Sequence, residues 1–183
     1  VRFFISDAHY GHANIIDYCS RPFRTVEEMD RTMIDQWNGV VTEEDEVFFV
    51  GDFSFCGAER SIEILNELRG TKHLILGNHD YIRGKVKPFL KHHFASIESS
   101  RSLFIEPVGR TVNLCHYPSF GPKAPQILVH GHSHNYRPLV TTYTTTRQLL
   151  VNVSVECVEY TPMSETLLAG IIDQYDQFFK GDV

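Results

Sequence analysis

No run of apolar residues in this chain approaches the roughly 20 that a helix needs to cross a bilayer, so no membrane span is expected. Basic residues are few: Lys and Arg number 17 against 23 Asp and Glu, a formal net charge of −6. An extended nucleic-acid surface is therefore not expected, because wrapping a long duplex takes many lysine and arginine contacts to phosphate. Cysteine is sparse too. Cys19, Cys56, Cys115 and Cys157 are scattered and form no CxxC pair, which suggests reduced thiols in a cytoplasmic protein. No secretory leader is expected, since the first apolar stretch is short and stops at Asp7. With no internal repeat, low-complexity tract or linker, residues 1–183 are expected to form a single domain with a sizeable core.

Histidine, by contrast, is plentiful, ten residues in all, and its placement is informative. Runs that read as strands end repeatedly in Asp, Asn or His. "RFFIS" ends in Asp7, "EVFFV" in Gly51-Asp52, and "HLIL" in Gly77-Asn78-His79-Asp80. "TVNLC" ends in His116, and "QILVHGHSH" ends in histidines. Between the first three runs the apolar spacing changes to that of helices. Val26, Met29, Met33 and Trp37 share one face, behind a capping box of Thr25 and Glu28. Ile62, Leu65 and Leu68 share another, with Gly70 as the stop. Strand–helix–strand–helix–strand predicts a parallel sheet.

The second half reads as strands with short connections. Val151, Val153 and Val155 alternate with Asn152, Ser154 and Glu156, as in a strand with one buried face. On that reading Asn152 is an exposed strand residue, with a hydrogen bond supporting a site as the alternative. "TTYTTT" predicts an exposed strand or hairpin. A last helix from Ser164 to Phe179 is expected to turn Leu167, Leu168, Ile171, Tyr175 and Phe178 toward the core. Two packed sheets with helices outside is the expected α/β architecture.

Ligands of α/β folds bind beyond the carboxyl ends of strands. Residues i and i+2 of an extended segment point the same way, so Asp7 and His9 can reach one point. A carboxylate with an imidazole suits manganese, iron or zinc better than magnesium or calcium. Taken singly, Asp-x-His, Gly-Asp and an isolated His116 are ordinary turn or surface chemistry. Glycines before Asp52, Asn78 and His132 are expected to let the backbone turn tightly where strands end. Spacing alone does not say which two of His130, His132 and His134 would bind a metal. His73, His92 and His93 are read as solvated.

Taken in order, "DAH", "GD", "GNHD", His116 and "GHSH" resemble the signature blocks of the calcineurin-like metallophosphoesterases, and most closely the small capless bacterial and phage-type members. The resemblance spans Asp7 to His134. It implies a four-layer αββα sandwich with two mixed β-sheets flanked by helices. It implies two divalent metal ions, with manganese foremost and iron, zinc or nickel as alternatives. One would be held by Asp7, His9, His134 and a bridging Asp52, the other by Asp52, Asn78, His116 and His132. His130 is left as a buried strand residue or a supporting partner. The reaction implied is hydrolysis of phosphodiesters, or also of phosphomonoesters, by a hydroxide bridging the metals. His79, beside Asn78, is expected to protonate the leaving oxygen, with Asp80 orienting it by a hydrogen bond. His12, Arg21 and Arg24 are expected to contact a small phosphate-ester substrate. The alternative is a binding or scaffold module on the same fold, which an intact ligand set disfavours.

Overall fold

The computed structural model describes residues 1–119, 121, 123, 124 and 126–180. In chain order the first half contains β1 (Arg2–Ile5), α1 (Asn14–Tyr18), α2 (Val26–Val40), β2 (Glu46–Phe49), α3 (Ala58–Glu67), β3 (Thr71–Ile75), the short hairpin β4 (Tyr81–Ile82) and β5 (Lys85–Val86), and β6 (Ser96–Glu98). The second half contains β7 (Ser100–Ile105), β8 (Arg110–Cys115), β9 (Ile127–His130), β10 (Val140–Tyr143), β11 (Gln148–Asn152), β12 (Met163–Ser164) and α4 (Glu165–Lys180).

The strands form two five-stranded sheets, ordered β12-β1-β2-β3-β6 and β10-β11-β9-β8-β7. β1, β2, β3 and β6 run parallel, and β12 closes the first sheet antiparallel to β1. In the second, β8, β9 and β11 are parallel, while β7 and β10 pair antiparallel at the edges. Both sheets are thus mixed, in a sandwich with helices against it.

Strand alternation divides the core in two. Phe3, Ile5, Val47, Phe49 and Leu74 pack against α1, α2 and α3 through Ile15, Met29, Met33, Ile34, Trp37, Ile64 and Leu65. The opposite faces, with Phe4, Phe48, Val50 and Ile75, meet Val112, Leu114, Ile127, Val129, Leu149 and Val151 of the second sheet. α2 starts at Thr25, whose hydroxyl accepts from Glu28 N at 3.1 Å, while the Glu28 carboxylate reaches the amide of Arg24 instead of completing a reciprocal box.

Several packing expectations are met only in part. α4 buries Leu168, Ala169, Ile172 and Tyr175, and Leu167 and Phe178 face solvent. In α3 Leu65 and Leu68 are buried as expected, joined by Ile64, while Ile62 is only half-buried. His73 is buried, with its ring stacked 4.8 Å from Phe48 and bonded to Ser96 and Glu46. "TTYTTT" forms β10 and its turn into β11. No described helix is long and apolar enough to cross a membrane.

The two sheets join at their carboxyl ends. Past β1, Ser6 bridges Ser154 in parallel, with Ser6 N donating to Val153 O at 2.8 Å and Val155 N donating to Ser6 O at 3.0 Å. The loops after β1, β2, β3, β8 and β9 therefore converge on one place.

Candidate metal centre

Those loops carry Asp7, His9, Asp52, Asn78, His116, His132 and His134, and the fold brings all seven together. The backbone there is strained. Asp7, His9, Asp52, His132 and His134 all have positive φ, from 43° to 67°, a region that costs energy for residues other than glycine and is concentrated at functional sites. The neighbouring glycines allow close approach. A Cβ on Gly77 would overlap Asp52 Oδ1, and one on Gly131 would overlap Ser6 Oγ and Asp7 Oδ2. Only Gly51, at φ 95°, also needs the left-handed region. Tight turning is thus the lesser reason for the other two glycines.

The first group centres on Asp7. Its Oδ2 accepts from His132 N at 2.9 Å and from Ser154 Oγ at 3.0 Å. Its Oδ1 is buried without a hydrogen-bond partner and lies 3.7 Å from His9 Nε2 and 3.8 Å from His134 Nε2. His9 is buried with neither ring nitrogen hydrogen-bonded, and its Nε2 is also 3.6 Å from Asp52 Oδ2. These separations are too long for hydrogen bonds. They are close to the spacing of about 3–3.6 Å between two donors that are each about 2.1 Å from one cation.

The second group centres on Asp52. Its Oδ1 accepts from His79 N at 2.8 Å, and its Oδ2 lies 3.5 Å from His116 Nε2. His116 Nδ1 donates to Val50 O at 2.7 Å, which fixes the ring and turns Nε2 into the site. Asn78 Oδ1 lies 3.2 Å from His116 Nε2 and 3.1 Å from His132 Nδ1. Asp7 with His9 and His134, and Asp7 with Asp52 and His116, are each grouped tightly enough to hold a cation.

Charge at the site is balanced by shifted protons. Burial would raise the Asp7 carboxyl, but contact with His9 and the charges of His116 and His134 hold it well below the usual carboxylate range. Burial would lower His116, but Asp52 and Asp7 push it up to about 9. His134 is likewise lowered by burial, yet raised to about 10 by Cys19, Glu156 and Asp7. A cation would take the place of those protons. With the unpaired atoms of Asp7 and His9, this carboxylate, imidazole and amide donor set fits a divalent metal of the manganese, iron or zinc kind.

The remaining expected residues divide. His79 is about half exposed at the mouth, with Nε2 4.0 Å from Asp52 Oδ2. His12 stacks on Phe55 at 4.1 Å, beside His9. Asp80 makes no described hydrogen bond to the His79 ring. Its carboxylate accepts from Asp52 N at 2.9 Å, Gly77 N at 2.8 Å and Phe53 N at 3.1 Å, tying the loops after β2 and β3 together. Arg24 is exposed, and its amide donates to Glu28 at 2.8 Å.

Arg21 is not a solvent-facing phosphate anchor. It is buried behind the site, donating to Asp7 O and Ala8 O, both at 2.8 Å, and pairing with Glu156 at 2.7 Å. The same Glu156 oxygen lies 3.0 Å from His134 Nδ1. Asn152 is fully buried, correcting its reading as an exposed strand residue. Its amide donates to His134 O at 2.8 Å, and its Oδ1 accepts from Ser154 Oγ at 2.7 Å. Asn152, Ser154 and Glu156 are the polar half of the "VNVSVE" alternation, and they face Asp7 and His134 instead of water. His130 is a buried strand-end residue whose Nδ1 donates to Gly131 O at 2.8 Å.

No protein-family model matches the chain. An uncharacterized protein of Methanocaldococcus jannaschii, MJ1445, is 35% identical over 176 residues, covering 94% of this chain and 91% of its own length. The Gene 66 protein of Mycobacterium phage L5 is 29% identical over 159 residues, 72% of this chain and 76% of the phage protein. Among solved structures, the protein of unknown function AQ665 from Aquifex aeolicus aligns with a TM-score of 0.73 at 23% identity, covering 93% of this chain and 98% of its own, so the two share a fold.

Proposed function

The chain belongs to the same family as the MJ1445 protein of Methanocaldococcus jannaschii, and we propose that it is a dinuclear metal-dependent phosphoesterase of the calcineurin-like kind, acting on phosphodiesters in preference to monoesters. One observation carries the reading. Asp7 Oδ1 and both nitrogens of His9 are buried without partners, and the Nε2 atoms of His9 and His134 face carboxylate oxygens at 3.6 to 3.8 Å. Unpaired buried charges are costly unless they coordinate a cation.

Asp7, His9 and His134 would hold one metal, Asn78, His116 and His132 the other, and Asp52 would touch both. Two such cations, manganese foremost, supply Lewis acidity to phosphate oxygens and lower the pKa of water. The chain's own residues do the rest. Val50 O and Glu156 orient the His116 and His134 rings, so that Nε2 is the nitrogen turned to the site. His79, exposed beside Asn78, carries a ring nitrogen able to deliver a proton to a leaving oxygen. Its amide bond to Asp52 Oδ1 keeps it at the ligand cluster.

The test is turnover of bis(4-nitrophenyl) phosphate and 4-nitrophenyl phosphate by protein stripped with chelator and reloaded with Mn2+. Metal-dependent hydrolysis favouring the diester supports the reading. Uptake of metal with no ester hydrolysed would replace the enzyme with a metal-binding scaffold.

A further inference from the structure

A groove of about 760 Å³ opens from the ligand His132 and runs past Ser133, Tyr136, Arg137 and Pro138 to Val140, Thr141 and Thr142 of β10. It is a shallow, open surface groove, and it continues from the metal ligands. Three features give it a chemistry.

The first is charge. In a chain of net charge −6, the groove lining has an arginine and no carboxylate. The Arg137 guanidinium is oriented by a bond from Nη1 to Tyr143 Oη at 3.1 Å. The second is an aromatic face: Tyr136, two residues past His134, is 80% exposed. The third is rigidity. The turn bearing Tyr136 and Arg137 is pinned from inside, because Asn152 Nδ2 donates to both His134 O and Arg137 O, at 2.8 and 3.1 Å. Cys157 Sγ reaches the same two carbonyls at 3.4 Å. One buried amide therefore sets the ligand His134 and the groove wall together, so the wall keeps a fixed position relative to the metal centre.

We propose that this groove is a subsite for the arm of a single-stranded oligonucleotide beyond the scissile phosphate, with a base stacked on Tyr136 and the next phosphate held by Arg137. Aromatic stacking with a neighbouring cation recognises single strands without depending on sequence. A few nucleotides, not a long duplex, suit a groove of this volume in a chain of net negative charge. The inference rests on the phosphodiesterase reading above.

The experiment compares bis(4-nitrophenyl) phosphate with thymidine oligonucleotides of two and four residues, in Mn2+. KM should fall at least tenfold from dimer to tetramer. Tyr136→Ala and Arg137→Ala should each raise the tetramer KM about tenfold more than the KM for the nitrophenyl diester. If the diester is hydrolysed but oligonucleotide KM ignores length and both substitutions, the subsite is wrong and the phosphodiesterase stands. If no ester is hydrolysed, the enzyme reading fails, and anisotropy of a fluorescein-labelled tetramer still decides the groove. Binding weakened about tenfold by Tyr136→Ala upholds it, and equal binding by wild type and variant, or none by either, overturns it.

Discussion

The Glu156 carboxylate pairs with the Arg21 guanidinium at 2.7 Å, and the same oxygen meets His134 Nδ1 at 3.0 Å. Arg21 in turn holds the carbonyls of Asp7 and Ala8. The loops bearing Asp7 and His134, distant in sequence, are thus braced by one buried ion pair. Glu156→Gln keeps an oxygen near His134 but leaves Arg21 a buried, unpaired cation. Metal affinity should fall about 10–100-fold, as for other partners of ligating histidines, and stability by about 3–5 kcal/mol. Calorimetric Mn2+ titration and denaturant melts check both. Wild-type affinity in the variant would remove the brace from the site.

Asp52 stands between the two ligand groups, 3.6 Å from His9 Nε2 and 3.5 Å from His116 Nε2. Asp52→Asn should weaken binding of both cations and abolish turnover. The fold should survive, because an amide oxygen can still accept from His79 N. Metal content by elemental analysis and a circular dichroism melt are the measurements. Two tightly held metals with near-normal activity would contradict the assignment.

His79 and Asp80 should behave differently. If His79 protonates the leaving oxygen, His79→Ala should slow alkyl or nucleoside esters about 10²–10⁴-fold and nitrophenyl esters far less, since nitrophenolate leaves unaided. Its metal content should stay near wild type. Asp80→Asn would set an amide N–H against backbone N–H groups of Asp52, Phe53 or Gly77. It should cost about 1–3 kcal/mol of stability and reduce metal content, with equal losses on good and poor leaving groups.

Asp30 supplies a pH dependence away from the metal ligands. Burial pushes its carboxyl up to about 6, against the opposing pull of the Gly11 amide. A carboxyl raised in the folded state contributes stability that is present below its ordinary value and lost as pH rises through about 6. Asn at this position keeps an oxygen for Gly11 N, which donates at 3.0 Å. Asp30→Asn should therefore raise the melting temperature relative to wild type, by a margin that widens from pH 5 to pH 8. A margin that is constant with pH would mean the carboxyl ionises freely.

Much of the scaffold was legible in the sequence because its determinants are local. Apolar period, the Thr25 cap and the Gly70 stop place α2 and α3, and the apolar runs before Asp7, Asp52 and Asn78 place three parallel strands whose ends must lie side by side. Polar residues just past those ends therefore lie near one another, and it was the resemblance of their blocks to the calcineurin-like metallophosphoesterases that singled out seven candidate ligands. Tertiary structure decided what lies behind them. The alternation of Asn152, Ser154 and Glu156 looks the same whether the polar face meets water or a buried cluster, and only the junction of the two sheets at Ser6 and Ser154 chooses. The roles of Arg21 and Asp80 depend on contacts across 135 and 28 residues, which no local period encodes. In α3 and α4 Leu65, Leu68, Leu168 and Tyr175 are buried as the spacing predicts, while the edges of each stripe differ, with Ile64, Ala169 and Ile172 buried and Leu167 and Phe178 exposed. Spacing sets the width of an apolar stripe, and the packing partner sets which of its edges is buried.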